Sequence, residues 1–385
     1  MRITKILAIG MFAALLSAGA ACQKQQPAGG TPTIIQPVNT GGNTQSYEYS
    51  GPGEYNIGVF YYPGWRDNIN ASNPLPWNQI KAFPEREPLL GWYKEGEIAL
   101  AEQQIQWMHD YGIDFVVYDW YWNKGNYEDN GHALQAYLAA KNKNLLKFSL
   151  LWDNASTATL NETQFTSMVK NWITTCFSQP QFLKVNGMPL VYIFSISNLH
   201  EDAKKFGMTS KQLLDEADAM AKAAGYAGIS FVANTTGQPG DEYWLDYGAK
   251  NSYDLFSAYN YHRGPDINTQ SQSYQELSDG YLAHWKFVIN KTQGLNFIVP
   301  MTSGWNRKPW GGSSNPLHDN SVSTPESFEQ HLARAKAFMD ENPQKTMKMG
   351  VICAWNEFGE GSYIEPTKTF QTQYLEKVKK VFGTQ

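Results

Sequence analysis

Eight short runs of apolar, β-branched and aromatic residues recur along the chain, and each has the composition of a β-strand. Within two of them, residues 116–118 and 190–194 are continuously apolar or aromatic. Such runs are typical of strands that are covered on both faces, as in a parallel sheet. The eight predicted strands span residues 55–62, 114–122, 147–153, 189–195, 229–235, 255–261, 296–303 and 349–356.

The segments between these runs have the period of amphipathic helices. Ile98, Ala101, Ile105 and Met108 follow one another at three- and four-residue steps, and Gly112 is expected to end that helix. A second apolar stripe runs through residues 165–176. Residues 324–326 read Thr-Pro-Glu, which combines a cap, a first-turn proline and an acid at the positive end of the helix dipole.

Strands that alternate with helices predict an α/β fold, and eight such units predict a single (β/α)8 barrel. A doubly wound sheet that binds a dinucleotide is the competing arrangement. It is disfavoured because no glycine-rich phosphate-binding sequence follows the first predicted strand.

The first 53 residues have the composition of a leader and a tether. Arg2 and Lys5 precede an apolar stretch too short to span a bilayer, and small residues then lead to Cys22. We expect residues 1–21 to be a lipoprotein signal peptide, with lipid attached to Cys22, and residues 22–53 to be a flexible linker. The catalytic barrel would then span residues 54–385. The expected location is the bacterial cell envelope or surface, or the periplasm or medium if Cys22 is not lipidated, with the lipid as the one membrane contact.

Composition narrows the classes of partner. The net charge is −5 and the basic residues are scattered, which disfavours binding to nucleic acid. Cys176 and Cys353 both lie in apolar segments, so we expect two buried thiols, and no cluster of metal-ligand spacing predicts a metal or other cofactor. The 13 Trp and 22 Tyr residues offer flat apolar faces with a polar edge, which suit stacking on sugar rings.

Aromatic, acidic and amide side chains gather where the predicted strands end. In (β/α)8 barrels the active site lies at the carboxyl ends of the strands, and a sugar has apolar faces with a rim of hydroxyl groups. We therefore predict a carbohydrate site at this end. The candidates for substrate contact are Tyr62, Trp65, Asp119, Trp122, Trp152, Asp153, Asn154, Asn234, Tyr259, His262, Arg263, Trp305, Asn306, Arg307, Trp355, Asn356 and Tyr363.

Some of these candidates have an equally simple structural interpretation. Asp119 ends the second strand among three aromatic residues, where it either binds a substrate hydroxyl group or supports the acid pair, or else is a buried structural acid. For Asp153 and Asn154 ligand contact is the preferred interpretation, and for His262 and Arg263 contact and a structural role are balanced.

Two acids that follow the eighth strand carry the predicted chemistry. Cleavage of a glycosidic bond generally needs two carboxyl groups, and Glu357 and Glu360 are three residues apart in a loop with Gly359 and Gly361. This spacing can aim both acids into one pocket and separate their pKa values. The alternative is that both acids cap a helix or are solvated in a loop. For the nearby Glu365 a structural and a functional role are equally supported.

The segment 354–366, Ala-Trp-Asn-Glu-Phe-Gly-Glu-Gly-Ser-Tyr-Ile-Glu-Pro, resembles the C-terminal signature of WbsX-like proteins, which are related to glycoside hydrolase family 99. Residues 86–93, 112–122 and 186–192 agree with that resemblance. It implies a retaining, endo-acting α-mannosidase or α-mannanase on a (β/α)8 barrel that needs no metal. It also implies that Glu357 deprotonates the substrate's 2-hydroxyl, which forms an anhydro-sugar, and that Glu360 protonates the leaving oxygen.

Asn356 and Phe358 make this segment closer to WbsX-like proteins than to true endomannosidases, so the resemblance does not carry over the sugar or the linkage. We predict an exported, monomeric glycoside hydrolase that acts on an α-linked, mannose-like polysaccharide or glycan. The alternative is a noncatalytic cell-surface lipoprotein that binds glycans. A glycosyltransferase, which is the label some WbsX-like proteins carry, is disfavoured by export and by the lack of a phosphate-binding sequence.

Overall fold

The predicted strands form a ring of parallel β-structure. The computed structural model describes residues 51–69, 73–123, 127–129, 131–155, 161–235, 242–266 and 268–383. Nine parallel strand segments follow one another around the ring. They are Asn56–Tyr61, Phe115–Asn123, Lys147–Trp152, Met188–Ile193, Ser230–Asn234, Leu255–Ser257, Asn296–Phe297, Val299–Thr302 and Met349–Cys353.

Two of these segments make up one strand of the barrel. Asn296–Phe297 pairs with the sixth strand, and Val299–Thr302 pairs with the last. They are separated by Ile298, whose N–H donates to the carbonyl of Phe256 over 2.9 Å. Counted together they are the seventh strand, Met349–Cys353 is the eighth, and the eighth pairs with the first. The predicted (β/α)8 barrel is therefore confirmed.

Helices lie between the strands as the hydrophobic period predicted. The helix Ile98–Asp110 ends before Gly112, which has a φ of +78°. Thr324 caps the helix Pro325–Glu341 by accepting the N–H of Ser327. The α-helices are Trp77–Ile80, Ile98–Asp110, His132–Ala139, Glu162–Asn171, Ile196–Lys205, Ser210–Ala223, Glu242–Lys250, Tyr274–Ile289, Pro325–Glu341, Pro343–Thr346 and Gln373–Phe382.

Three details differ from the prediction. Ile98 is 48% exposed, because the helix begins at this residue and Leu100 supplies the buried contact instead. The stripe through residues 165–176 changes from an α-helix to the π-helical turn Trp172–Phe177. The sixth strand ends at Ser257, since the residues up to 261 leave the ladder and form a loop above the barrel.

Alternation along the strands divides the core into two layers. Phe60, Val117 and Tyr192 belong to the cluster inside the barrel, whereas the neighbouring Val59 and Val116 pack in the layer between strands and helices. Successive side chains of a strand point to opposite faces. The same two-residue period decides which side chains beyond the strand ends face the barrel axis.

Two short antiparallel hairpins stand above the ring. Asn356–Glu357 pairs with Ser362–Tyr363 after the eighth strand, and Gly304–Trp305 pairs with Ser321–Val322 after the seventh. Tyr127–Asp129 extends the second strand, and Lys184–Val185 precedes the fourth. The first hairpin places the loop with Glu357 and Glu360 at the carboxyl end of the barrel, and the second places the loop with Trp305 there.

Cys176 and Cys353 are buried free thiols, as predicted. Cys22, the predicted signal peptide and most of the predicted linker lie outside the described residues. Among the described residues, no helix combines the length and apolar character needed to cross a membrane. In the same part of the chain, no group of three or more His, Cys, Asp or Glu side chains is arranged to hold a metal ion.

Candidate active site

The loop after the eighth strand is fixed to the loop after the first. The side chain of Asn356 accepts the N–H of Tyr62 over 2.9 Å and donates to its carbonyl over 3.0 Å. The indole N–H of Trp65 donates to the carbonyl of Asn356 over 2.9 Å. Asn356 and Trp65 are both fully buried, so the structure replaces their predicted sugar contact with a positioning role.

Glu357 shares one phenol with a second acid. The hydroxyl oxygen of Tyr259 lies 2.8 Å from Oε1 of Glu357 and 3.1 Å from Oδ2 of Asp119. A phenol has one proton, so both contacts are hydrogen bonds at the same time only when one of the carboxyl groups is protonated. The remaining atoms, Oε2 of Glu357 and Oδ1 of Asp119, are buried and have no hydrogen-bond partner among the described residues.

Burial raises the pKa of all three central acids. The pKa of Glu357 lies well above its usual range because of burial first and then the charges of Glu360 and Asp119. Burial and the charge of Asp153 likewise raise the pKa of Asp119. Burial raises the pKa of Glu360 to about 7, while the positive charge of Arg307 acts in the opposite direction. Burial therefore favours the protonated forms of Glu357 and Asp119, and Glu360 is balanced between its two forms at neutral pH.

A buried arginine joins the two loops that carry these groups. Arg86 donates from Nη1 to the carbonyl of Phe358 over 2.5 Å and from Nη2 to the carbonyl of Asn306 over 3.1 Å. The N–H of Asn306 in turn donates to the carbonyl of Glu360 over 2.6 Å. Arg86 is 3% exposed. It therefore positions the acid loop without reaching the open side of the site.

Tyr121 is a site residue that the sequence analysis missed. Burial raises its pKa well above the usual range, followed by the charges of Asp119 and Asp153. Its side chain is partly exposed, and it lies two residues after Asp119 on the strand Phe115–Asn123. The two-residue period was the available signal, because it places residues 119 and 121 on the same face.

Three tryptophans that were predicted to contact substrate lie on the opposite face, toward the helices. Trp122 stacks on Trp120 with ring centroids 5.5 Å apart, and Trp152 meets Trp172 at 5.9 Å. These four rings and the fully buried Trp355 belong to the layer between barrel and helices. Trp122, Trp152 and Trp355 thus pack the scaffold on the side away from the barrel interior.

Asn154, a predicted substrate contact, and Glu365, whose role the sequence left open, both brace neighbouring loops. Asn154 donates to the carbonyl of Ser195 and accepts its N–H, each over 2.8 Å, so both the nitrogen and the oxygen of its amide are hydrogen-bonded within the protein. Glu365 accepts the hydroxyl of Tyr93 over 2.9 Å and the amide of Gln104 over 3.1 Å. Burial raises the pKa of Glu365 to about 8. This network supports the structural interpretation of Glu365.

The loops after the sixth and seventh strands form an aromatic cluster. The ring of His262 lies 4.3 Å from that of Trp305, whose indole N–H donates to Ser313 over 2.9 Å. Burial, His318 and Arg263 lower the pKa of His262 to about 3, so it is neutral at physiological pH. Nη1 of Arg263 donates to the carbonyl of Asn268 over 3.2 Å. These contacts organise the loops, and sugar contact by this group stays a prediction.

An open cleft of about 250 Å³ adjoins the acids on the side of strands four to six. Tyr259, which contacts Glu357, also lines this cleft. The lining residues are Phe194, Ser195, Ile196, Ser197, Asn234, Thr235, Trp244, Tyr259 and Asn260. Of these, only Asn234 and Tyr259 were predicted to contact substrate.

A family model described as "Glycosyltransferase WbsX" matches residues 64–378, which is most of the chain. The chain belongs to the WbsX family. No curated protein matches this chain. Two solved structures of the family 99 endo-α-mannosidase from Bacteroides thetaiotaomicron, one of them in complex with BIS-TRIS propane, are similar in fold. The complex is 15% identical with a TM-score of 0.61, and the other is 16% identical with a TM-score of 0.56. Each alignment covers 86% of this chain and 97% of the other.

In this WbsX chain a tryptophan outside the predicted set supports the acid loop. Trp310 lies against Gly359, where an added Cβ would come within 2.0 Å of the indole ring. The ring centroids of Trp310 and Tyr62 are 6.0 Å apart. Gly361 has a φ of +74°, and an added Cβ there would lie 2.8 Å from the N–H nitrogen of Asn306. Both glycines are therefore required by close packing of the loop.

We predict that Gly359→Ala displaces Trp310 and the acid loop. The clash should lower the free energy of unfolding by about 1–3 kcal/mol and reduce any catalytic rate that depends on Glu360. Urea denaturation and a rate assay measure the two effects. Gly264→Ala is the matched control, because the nearest atoms to a Cβ there lie 3.8 Å away. Equal behaviour of the two variants would contradict this account of the loop.

Proposed function

We propose that this WbsX-family chain is a glycoside hydrolase in which Glu360 is the acid/base and Glu357 is the base. The observation that carries the proposal is the pair of acids itself, in which Glu357 is buried and Glu360 is partly exposed. Glu360, with a pKa near 7, follows Glu357 by three residues at the carboxyl end of a (β/α)8 barrel. An acid/base works best when its pKa is close to the operating pH. The fold shared with a family 99 endo-α-mannosidase supports glycoside hydrolysis as the class of reaction.

The proposed reaction proceeds in two steps with retention of configuration. Glu357 takes the proton of the substrate's 2-hydroxyl, O2 bonds to C1, and the C1–O bond to the leaving group breaks as Glu360 protonates that oxygen. In the second step Glu360 takes a proton from water, the water oxygen bonds to C1, and the C1–O2 bond breaks. Glu357 then returns its proton to O2. Both acids end in their starting states, and no covalent bond to the protein forms.

The first step requires Glu357 to be ionised despite its burial. We infer that Asp119 holds the proton of the pair and donates it to the Tyr259 oxygen, while Tyr259 donates to Glu357. The shorter distance, 2.8 Å against 3.1 Å, lies on the Glu357 side, where the acceptor is then charged. The hydrogen bond from Tyr259 lowers the pKa of Glu357 against the effect of burial.

The proposed substrate is an α-linked, mannose-like polysaccharide or glycan that is cut within the chain. The open cleft beside Tyr259 supports an extended substrate, since it continues away from the acids. We also propose that the protein is exported and held at the cell envelope by a lipid on Cys22. Mass spectrometry of the membrane fraction tests the anchor, and a Cys22→Ala variant should lose it.

The activity is tested with the purified protein on α-mannans and on bacterial and plant polysaccharides. We expect new reducing ends, oligosaccharide products by mass spectrometry, and an initial product anomer that matches the substrate by NMR. If glycans bind but no reducing ends appear, the protein is a noncatalytic glycan-binding protein. Turnover of a nucleotide sugar without hydrolysis would instead support the transferase named in the family's description.

Tyr259→Phe should reduce kcat/KM and shift its acidic limb to higher pH. The variant loses the donor that stabilises ionised Glu357, so the pKa of Glu357 rises and a higher pH is needed to ionise it. A hydrogen bond to a charged group contributes about 1.5–3 kcal/mol, which corresponds to a shift of about one to two pH units. A pH–rate profile measures it. Tyr226→Phe is the control, because that ring packs beside Phe177 on the outside of the barrel. An unchanged acidic limb would refute the proton arrangement.

A further inference from the structure

Asn234 presents an amide that the protein itself does not use. It is the last residue of the strand Ser230–Asn234, and it shares the interior face with Val232. Only 6% of it is exposed, yet neither Oδ1 nor Nδ2 has a hydrogen-bond partner among the described residues. Buried side-chain amides are nearly always hydrogen-bonded, so an amide with both functions unused needs an explanation. Asn234 also lines the open cleft.

A second buried group in the cleft has the same property. Thr235 is 8% exposed, and its hydroxyl oxygen has no partner among the described residues. The other amide of the cleft, Asn260, is occupied, since its Oδ1 accepts the hydroxyl of Tyr281 over 2.5 Å. The unused donors and acceptors are therefore concentrated at Asn234 and Thr235. An amide that offers one donor and one acceptor side by side matches two neighbouring hydroxyl groups on a sugar ring.

The same cleft has an aromatic wall. Trp244 is partly exposed at the cleft and is held from behind by His200 and Tyr247, with ring centroids 5.8 Å and 5.4 Å away. Phe194 lies beside Tyr259, with centroids 5.6 Å apart. A fixed indole next to a paired amide provides an apolar face and a polar edge, which are the two kinds of surface on a pyranose ring.

The charges around the cleft oppose an acidic ligand. None of the described residues that line it carries a formal charge. On one side of the cleft the carboxyls of Glu357 and Asp119 lie 2.8 Å and 3.1 Å from the hydroxyl of Tyr259. On the other side His200 packs behind Trp244, and burial lowers the pKa of this histidine, which disfavours its charged form. The helix Ile196–Lys205 begins at the cleft, but the dipole there amounts to about half a positive charge. The Ser195 hydroxyl already accepts an N–H of that helix.

We propose that this cleft is a subsite for an uncharged sugar residue next to the residue that reacts at Glu357. Asn234 holds two neighbouring hydroxyl groups, Thr235 a third, and Trp244 stacks on the ring. We expect uronic acids to be rejected, because ionised Glu357 lies beside Tyr259 and none of the described residues that line the cleft is a cation that could offset a second carboxylate. The inference rests on the proposed function, because the position of the subsite is defined relative to the sugar residue that reacts at Glu357. The subsite would restrict the substrate to glycans with an uncharged residue at this position.

The test measures binding without turnover, in a Glu360→Gln background. Isothermal titration uses α-1,6-linked mannotetraose and maltotetraose as neutral probes and tetragalacturonate as the acidic probe. We expect a neutral probe to bind and the acidic probe to bind at least about tenfold more weakly. Adding Asn234→Ala removes two hydrogen bonds and should weaken neutral binding by about 10- to 100-fold. Thr235→Val, which keeps the shape of the side chain, should weaken it by about three- to tenfold.

Asn290→Ala is the matched control, since Asn290 is an exposed asparagine that caps the C-terminus of the helix Tyr274–Ile289. The inference is overturned if Asn234→Ala and Thr235→Val bind the neutral probe as the control does. It is also overturned if tetragalacturonate binds as tightly as the neutral probes, or if no neutral probe binds. The binding test does not depend on hydrolysis. If the neutral probe binds but the protein without substitutions cleaves no glycan, the subsite is supported and the hydrolase is refuted, so failure of one proposal is distinguishable from failure of the other.

Discussion

Glu360→Gln is expected to lower kcat by about a thousandfold or more on a natural glycan, because general acid catalysis contributes about 10²–10⁴-fold. The glutamine amide cannot protonate the leaving oxygen, but it has about the size of the glutamate side chain and keeps the same position near Arg307. Binding of substrate should therefore change little. A substrate with a good leaving group, such as a glycosyl fluoride, needs no proton and should lose much less rate in the first step.

The pH profile sharpens this prediction. In the proposed mechanism Glu360 acts first in its protonated form, and burial raises its pKa to about 7. In the native protein kcat/KM should thus fall as the pH rises above about 7, and this limb should be absent for the fluoride. Glu341→Gln is the matched control, since Glu341 is exposed at the end of the helix Pro325–Glu341. A Glu360→Gln variant with native activity on the glycan would overturn the assignment.

Glu357→Gln is expected to be as severe, with a different pattern of rescue. The amide cannot accept the 2-hydroxyl proton, so the loss of about 10²–10⁴-fold should persist for a glycosyl fluoride. A substrate that lacks the 2-hydroxyl should be inert with the native protein as well. Rescue of Glu357→Gln by the better leaving group would show that Glu357 is not the base of the first step.

The same variant should change how stability depends on pH. Because burial raises the folded-state pKa of Glu357, the folded protein favours the protonated carboxyl more than the unfolded chain does, even where the hydrogen bond from Tyr259 keeps Glu357 ionised. That preference is fully present below the unfolded pKa of about 4.3 and is lost as the pH rises through the folded pKa. A neutral glutamine has no such dependence. Relative to the native protein, Glu357→Gln should therefore gain stability in urea denaturation as the pH rises above the unfolded pKa of about 4.3. A constant difference would contradict the burial of an ionisable group here.

The hydrophobic pattern was sufficient to predict the barrel. All eight predicted strands exist, and the Thr324 cap and the Gly112 terminus lie where local chemistry placed them. These features depend on neighbours within a few residues, so a single sequence contains what is needed to predict them. The motif around Glu357 and Glu360 was also visible, because both acids and their glycines lie in one continuous segment.

Individual site contacts were harder to predict, because a position near the end of a strand does not by itself show whether its side chain points into the barrel or toward the helices. Trp122 and Trp152 lie at the correct height in the barrel but point toward the helices, whereas Tyr121 points inward. Trp244 and Trp310 escaped notice because they come from a helix and a loop that only folding brings to the site. Position along a strand is local information, but orientation toward a ligand depends on the closed barrel.

The sequence by itself determined the alternation of strands and helices, the barrel that follows from it, and the segment that holds the two acids. The tertiary structure alone decided what those acids can do. The pKa of Glu360 near 7 arises from burial, which raises it, and from Arg307, which lowers it. Tyr259 contacts Glu357, which is 98 positions away in the chain, and Asp119, which is 140 positions away. Arg86 fixes a loop 272 residues away. Desolvation and hydrogen bonding act through space, and no pattern within a short stretch of chain specifies which distant groups will meet.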